Sequence, residues 1–488
     1  MIIKKERIDI ENYSDDASGL RSTNIDKVFI PENEKEIQEI VQECNSKKEF
    51  LTVSGAGTGT VGGRVAFRGN VLSLERMNKI IEINREKKFA VLQAGVIVKE
   101  FLDEILPRGL FYPPFPTERT ATIGGNISTN ASGEYSFKFG STRKYVKRIK
   151  VVLSDGRIVN LKRGQVFEKD GYLQVPETGI RFRIPRYVMP RVKKHSAGYY
   201  SCPGMDLIDL FIGSEGTLGV ITEAEVSLID SFENVFFCAV FFEDLKNATL
   251  FVKEIKNRQD LSENVLCLEY FDKNSLDFLR PAYSEIPSSA KECILFGVQI
   301  NSESDLSIWD DLLTKYNSIE NWLGNTEKDI EKLYSFRHKL PELINEMLRR
   351  KKQTKLATDI AVPEEMSLEM KNFYEEKIKH SGLNSVIFGH IGESHLHVNL
   401  FPETDKEIEI ANKLLIEFAK KAVEFGGTVS GEHGIGKKKH NLLKIMFGEK
   451  GINEMIRVKR ILDKNCILGP DNIFPLNLAL SFNPSEIL

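Results

Sequence analysis

Between Leu51 and Gly63 the chain reads LTVSGAGTGTVGG, with five glycines among its last nine residues. No other stretch constrains the fold as strongly. Glycine takes φ > 0 without steric cost and lets another molecule approach with no Cβ in the way. Successive N–H groups in such a loop converge into an anion nest, whose usual guest is a pyrophosphate. Fixing so many glycines is costly in chain entropy, which favours a ligand loop over a glycine-rich hairpin with no ligand.

Gly57-Thr58-Gly59-Thr60-Val61-Gly62 spells GxGxxG, which carries meaning only between a strand and a helix. Lys35–Lys47 predicts a helix, with Ile37, Ile40, Val41 and Cys44 at helical spacing, and Phe50–Val53 predicts a strand. After Gly63 comes RVAFRGNVLSLERM, which has no amphipathic helical period and turns to a strand at Val71–Leu74. A nicotinamide-type nest needs a helix N-terminus behind its loop, so the Rossmann reading fails.

A chain of 488 residues is long for one core, and two or three domains are expected. A net charge of −3 gives no bulk electrostatic case for nucleic acid. The N-terminal MIIKKERIDI lacks the apolar region of a signal peptide, and the most apolar run, Val235–Phe242, is too short to span a bilayer. A cytoplasmic protein without a transmembrane segment is expected. The six cysteines are scattered with no CxxC, which argues against a bound iron–sulfur cluster or a cysteine-type zinc site.

Downstream, Phe89–Ala94 reads as a strand and Val98–Leu106 as a short helix. Tyr112–Gly140 is rich in proline, glycine and small polar residues, a composition of rigid turns and close backbone approach. Val146–Leu153 and Ile158–Leu161 form a predicted hairpin about Asp155-Gly156. Lys162–Met205 is irregular and holds Arg181, Arg183, Arg186, Arg191, Lys193 and Lys194, read as a solvated loop. Beyond about residue 230, strands at Phe236–Phe242 and Ile294–Ile300 alternate with helices at Leu245–Asn257 and Asp305–Tyr316. Ile330–Lys352 predicts a long helix bent at Pro341, and Lys406–Phe425 another.

Three of the eight histidines lie in Gly389–His397, GHIGESHLH, and His433 stands in Gly431-Glu432-His433-Gly434. In His395–Leu400 the period is two, so His395, His397 and Asn399 share one strand face. Converging imidazoles suit Zn²⁺, Fe²⁺ or Mn²⁺, with Glu432 adding a carboxylate. The alternative is a hydrogen-bonded polar strand face without metal. Gly431–Lys438 also approaches a phosphate loop, but Lys438 stands where a triphosphatase needs Ser or Thr.

Five motifs in order carry a resemblance: SGAGTGTVGG at 54–63, PFPTERTATIGGNISTNASG at 114–133, GSEGTLGVIT at 213–222, GHIGESHLH at 389–397 and GEHGIG at 431–436. Together they resemble the flavin-dependent 2-hydroxyacid dehydrogenases of the vanillyl-alcohol-oxidase superfamily. The nearest group is that of the glycolate oxidase flavin subunit, D-lactate dehydrogenase and D-2-hydroxyglutarate dehydrogenase.

The resemblance implies an α+β fold. A PCMH-type FAD-binding domain of two α+β subdomains would occupy 1–230. A C-terminal α/β cap with an antiparallel sheet would occupy 231–440, and a helical segment returning to the FAD domain 441–488. It implies FAD held by Ser54, Gly55, Ala56, Gly57, Thr58 and Gly59 at the pyrophosphate. Pro116, Thr117, Gly124, Gly125, Ser128, Asn130 and Gly133 would line the rest of the dinucleotide, with Glu215, Gly219 and Ile221 near the ribose and adenine. Some members attach flavin through a histidine in the first loop; this loop has none, so non-covalent FAD is expected.

The resemblance further implies a divalent metal on His390, His397 and Glu432, His433 as the catalytic base, and Arg337 gripping the substrate carboxylate. His395 stands where relatives often carry Asn, and so either touches substrate or offers a fourth ligand. The expected reaction oxidises a small D-2-hydroxy acid. Ala357 replaces a lysine of hydroxyglutarate-type relatives, which favours a monocarboxylate such as lactate. An electron-transfer flavoprotein or an iron–sulfur subunit would take the electrons, and the family allows a homodimer. A rival reading on the same fold is an ether-lipid-type FAD-dependent synthase.

Overall fold

The structure, a computed structural model, describes residues 1–483 apart from 233, 301, 302 and 325. The first long helix, Glu34–Lys47, begins where Asn33 accepts the Glu36 N–H at 3.0 Å and ends at Lys48, whose φ is 56°. Ile37, Ile40, Val41 and Cys44 bury as one stripe, clustered with Leu51 and Leu72 of one sheet and Val152 and Val220 of another. One amphipathic helix therefore joins two sheets.

The first sheet has four strands in the order Ile2–Lys4, Val28–Ile30, Asn70–Ser73, Leu51–Ser54. Leu51–Ser54 and Asn70–Ser73 run parallel. The glycine stretch between them is thus a crossover loop and not a hairpin turn, because a tight turn joins only antiparallel strands. The second sheet is antiparallel, in the order Ile80–Asn84, Phe89–Gln93, Val220–Ser227, Val146–Val152, Ile158–Lys162. Two small mixed α+β units result, as expected.

The second half is built on a seven-stranded antiparallel sheet. Its order is Glu320–Gly324, Val235–Phe242, Glu292–Gln299, Val265–Asp272, Ser385–His390, His395–Leu400, Leu356–Ala357. The helices Leu245–Asn257, Glu327–Lys351 and Asp405–Glu424 lie where periodicity places them, to within three residues. The central strand Val265–Asp272 escaped the sequence reading. All eight of its residues are buried, so it shows no alternation to detect. The Ser367–Ser381 helix was also missed. Glu327–Lys351 continues through Pro341 without interruption, although the proline supplies no N–H to the Arg337 carbonyl four residues earlier.

The C-terminal part returns to the first sheet. Leu51 N–H donates to Ile467 O at 2.7 Å, and Gly469 N–H to Leu51 O at 2.9 Å. Contact with the glycine loop begins before residue 441, since Lys437 N–H donates to Val61 O at 2.8 Å. The His440–Leu462 helix is broken at Gly448, where φ is 64°.

Candidate functional site

The strand Leu51–Ser54 delivers the glycine loop to the rim of a cleft. Gly57 has φ 81°, and a Cβ there would stand 2.3 Å from Arg64 Cζ, so only glycine fits. Arg64 is itself held by the carbonyls of Asp15, Asn12 and Gly55 at 2.7, 3.0 and 3.4 Å. The cleft holds about 970 Å³ of empty space, open solvent included. Ser54, Gly55, Ala56, Gly57, Thr58 and Gly59 line it from the loop. Gly124, Gly125 and Ser128 line it from the helix Ile123–Thr129, and Glu215, Gly219 and Ile221 from the far wall.

Four expected residues stand outside that wall. Asn130 terminates the Ile123–Thr129 helix at φ 51°; its Nδ2 donates to His195 O at 3.1 Å and its Oδ1 accepts the Arg143 N–H at 3.0 Å. Gly133 makes a tight backbone crossing, where a Cβ would meet Phe115 O at 1.9 Å. Pro116 is buried and Thr117 is exposed, and neither lines the cleft. Arg64, Asp16, Thr122, Asn126 and Thr129 line it without having been foreseen. Thr122 had a local signal, because its side chain accepts the Gly125 N–H as a helix cap at 3.2 Å.

Glu215 does more than line the cleft. Its carboxylate accepts the backbone N–H groups of Ile435 and Gly436, each at 2.7 Å, and so holds the loop that carries His433. Burial raises its pKa to about 7, against the pull of those two N–H groups and of Lys437 and Lys439. Lys437 completes the junction by donating to Gly62 O at 3.2 Å.

Across the cleft, Ser385–His390 and His395–Leu400 form a hairpin in which His390 faces His395 and Phe388 faces His397. Cross-strand partners lie on one side of a sheet, so three imidazoles converge. Each outer nitrogen meets an acceptor. His390 Nδ1 is 2.7 Å from Glu269 Oε1, His395 Nε2 is 3.0 Å from Asp359 Oδ1, and His397 Nδ1 is 3.3 Å from Thr358 O. The inner nitrogens face Glu432: His390 Nε2 at 3.6 Å, His395 Nδ1 at 3.9 Å and His397 Nε2 at 3.4 Å.

The ligand atoms of His390, His395, His397 and Glu432 all lie within 4.8 Å of one another. Metal bonds of about 2.0–2.1 Å set neighbouring donors roughly 3–3.5 Å apart, so the cluster fits a divalent ion. Burial lowers the His395 pKa to about 3, and His397 beside it adds to the fall. Burial also opposes charge on His390, but Glu269 and Glu432 outweigh it and raise that imidazole to about 9. A bound cation would take the place of that proton.

Asp359 is the hub of the site, and sequence reasoning missed its role. Its carboxylate accepts His395 Nε2, Ser430 Oγ at 2.6 Å, the His433 backbone N–H at 3.1 Å and Lys439 Nζ at 2.7 Å. His433 Nδ1 stands 3.4 Å from the same Oδ2, and His433 Nε2 lies 3.6 Å from Glu432 Oε1. Burial would raise the Asp359 pKa, but His433 and Lys439 hold it well below the carboxylate range. A local signal exists, since Asp359 stands four residues before Pro363.

Lys194 corrects an expectation. It was grouped with a solvated basic loop, yet it is 1% exposed and its ammonium sits 3.4 Å from Glu393 and 3.3 Å from Glu432. A buried ammonium is tolerated only when paired, and two carboxylates pair it here. Arg181, by contrast, is exposed and lies over the Tyr172 ring. Arg337 reaches the cluster from the Glu327–Lys351 helix, with Nη2 3.7 Å from Glu269 Oε2 and a buried Nε that has no hydrogen-bond partner.

Fold and site together define a two-part dinucleotide-binding enzyme, in which a glycine-lined cleft meets a histidine- and carboxylate-rich cap. Residues 25–162 match the FAD binding domain family, and residues 233–473 match the C-terminal domain of FAD linked oxidases. The glycolate oxidase subunit GlcD of Bacillus subtilis is 30% identical over 471 residues, covering 95% of this chain and 92% of that protein. The D-lactate dehydrogenase of Archaeoglobus fulgidus is 28% identical over 451 residues, covering 91% and 90%. The D-2-hydroxyglutarate dehydrogenase of Stutzerimonas stutzeri is 26% identical over 466 residues, covering 92% and 90%. The solved structure of an alkyldihydroxyacetonephosphate synthase superposes with a TM-score of 0.68 at 17% identity, over 96% of this chain and 82% of that one; at this identity it shows the fold alone.

The chain belongs to the FAD-linked oxidase family of the vanillyl-alcohol-oxidase superfamily, and is an FAD-linked oxidoreductase of the 2-hydroxyacid dehydrogenase group. No helix among the described residues is long and apolar enough to cross a membrane.

Proposed function

We propose that this chain oxidises a small D-2-hydroxy acid, lactate-like in size, to the 2-oxo acid and passes the electrons to an external acceptor. One observation carries the reading. His433 borders the glycine-lined cleft while its ring lies between Asp359 and Glu432. On this reading His433 is a base standing where the cofactor cleft meets the cap.

Oxidation at C2 removes the hydroxyl proton and a hydride. His433 takes the proton: Asp359 beside Nδ1 keeps a hydrogen on that nitrogen and leaves Nε2 free to accept. FAD in the cleft supplies the hydride acceptor. A divalent ion, which His390, His397 and Glu432 would hold, would supply Lewis acidity toward the substrate hydroxyl. Arg337, with its buried and unpartnered Nε, grips the substrate carboxylate.

Ala357, where hydroxyglutarate-type relatives carry lysine, supports a monocarboxylate substrate. We read 1–230 as the cofactor unit, 231–440 as the cap and 441–488 as the return. On this reading the His433 loop belongs to both halves, since Glu215 holds it from the cofactor side. An electron-transfer flavoprotein or an iron–sulfur protein suits the acceptor role, because this chain has no cysteine cluster of its own.

The test is anaerobic mixing of the FAD-loaded protein with glycolate and with the D- and L-forms of lactate and 2-hydroxyglutarate. Rapid bleaching of the oxidised flavin band by a D-2-hydroxy acid is expected. A flavin that stays oxidised with every hydroxy acid overturns the reading and leaves a synthase-type reaction on this fold.

A further inference from the structure

We propose that His395 is itself a metal ligand. Its Nδ1 joins His390 Nε2, His397 Nε2 and the Glu432 carboxylate in a set of three imidazoles and one carboxylate. Such a set suits a five- or six-coordinate ion of the Fe²⁺ or Mn²⁺ class rather than tetrahedral Zn²⁺. The inference rests on the metal reading above and deepens it.

The group on the outer side of each imidazole fixes where its hydrogen sits. Thr358 O is a carbonyl and accepts only, so His397 Nδ1 carries the hydrogen and Nε2 presents a lone pair. Glu269 is an ionised carboxylate and takes the hydrogen of His390 Nδ1 in the same way. Asp359 is an ionised carboxylate held by Lys439, so His395 Nε2 carries its hydrogen and Nδ1 is left as an acceptor. That Nδ1 is fully buried and has no hydrogen-bond partner.

What faces His395 Nδ1 is Glu432 Oε2 at 3.9 Å, another acceptor. The ammonium nearby, Lys194, is engaged by Glu393 and Glu432. An acceptor buried against acceptors is unfavourable. A cation among the four donors, which lie within 4.8 Å of one another, satisfies all of them at once. The outer carboxylates and carbonyl then play the part usual around metal-bound imidazoles, fixing tautomer and ring orientation.

Four side-chain donors would close a tetrahedral ion, leaving no position for a substrate hydroxyl. An ion that accepts five or six ligands keeps one or two positions open, and Fe²⁺ and Mn²⁺ do so with imidazole and carboxylate donors.

The experiment uses FAD-loaded full-length protein stripped of metal with a chelator. Mn²⁺ binding is followed by loss of the free-ion EPR signal, for the wild type, His395→Asn and His397→Ala. Wild-type binding with at least tenfold weaker binding in both variants, at unchanged flavin content, is expected. Weakening in His397→Ala alone overturns the role of His395 while sparing the metal reading. Absence of wild-type binding, or indifference to both substitutions, overturns both. Should His395→Asn lose flavin, His395→Gln is measured instead. The visible spectrum of the Co²⁺-loaded wild type needs no variant: weak bands of a five- or six-coordinate ion are expected, and intense tetrahedral bands overturn the coordination argument.

Discussion

Asp359 Oδ2 stands 3.4 Å from His433 Nδ1 and accepts the His433 backbone N–H at 3.1 Å. One carboxylate thus fixes both the position of the loop and the tautomer of its imidazole. Asp359→Asn should lower turnover about 10²–10³-fold, within the range of general-base catalysis. Flavin content should stay at the wild-type level, because Asp359 does not line the cofactor cleft. Steady-state kinetics with parallel flavin absorbance checks both halves; normal turnover would remove Asp359 from the mechanism.

The pH profile follows from the same pair. Burial works to lower the His433 pKa, but the Asp359 carboxylate outweighs it and the net shift is upward from 6.5. A base must be neutral to accept, so kcat/KM should be low at acid pH and rise through a pKa above 6.5. In Asp359→Asn the raising charge is gone, and the acid limb should move to lower pH. A limb that stays in place contradicts the coupling.

His433→Ala should cost roughly 10²–10⁴-fold in turnover. Arg337→Lys should lower kcat/KM about 10- to 100-fold, because an ammonium cannot reproduce the two parallel bonds of a guanidinium. Both variants should keep FAD. Near-normal rates in either would dismiss that residue's role.

Gly57→Ala tests the cofactor loop. At φ 81° the added Cβ would lie 2.3 Å from Arg64 Cζ, displacing a side chain that three carbonyls hold. The protein should purify with well under half the wild-type flavin ratio, and added FAD should restore it only at high concentration. Acid precipitation of the wild type should release all its flavin into the supernatant, since the loop offers no histidine for attachment. A yellow pellet would contradict that.

Lys194→Met should be markedly unstable. Removing the ammonium leaves Glu393 and Glu432 buried without it, and breaking such a pair costs about 3–5 kcal/mol. Thermal unfolding of the FAD-loaded protein measures the loss; an unchanged Tm would show that the histidines beside Glu432 and the Ser136 hydroxyl, which donates to Glu393, satisfy the carboxylates by themselves.

The cofactor half was largely legible in the sequence, because its chemistry is local. A glycine-dense loop after a strand places its own N–H groups, and the helix Glu34–Lys47 declares itself by period and cap. The alternation in His395–Leu400 put His395 and His397 on one face before any coordinates. Sequence alone therefore determined the class of cofactor and the family, and brought two of the clustered imidazoles to one strand face.

Tertiary structure decided what those residues do to one another. Glu269 lies in a strand buried on both faces, where no period marks it, and only sheet order brings it to His390. Lys194 reads as one cation in a basic run, and becomes a buried counter-ion only because its loop folds against Glu393 and Glu432. Asp359 meets His433 across 74 positions of chain. Hydrogen-bond direction, burial and charge pairing depend on which groups share a small dry volume, and that is a property of packing rather than of sequence separation.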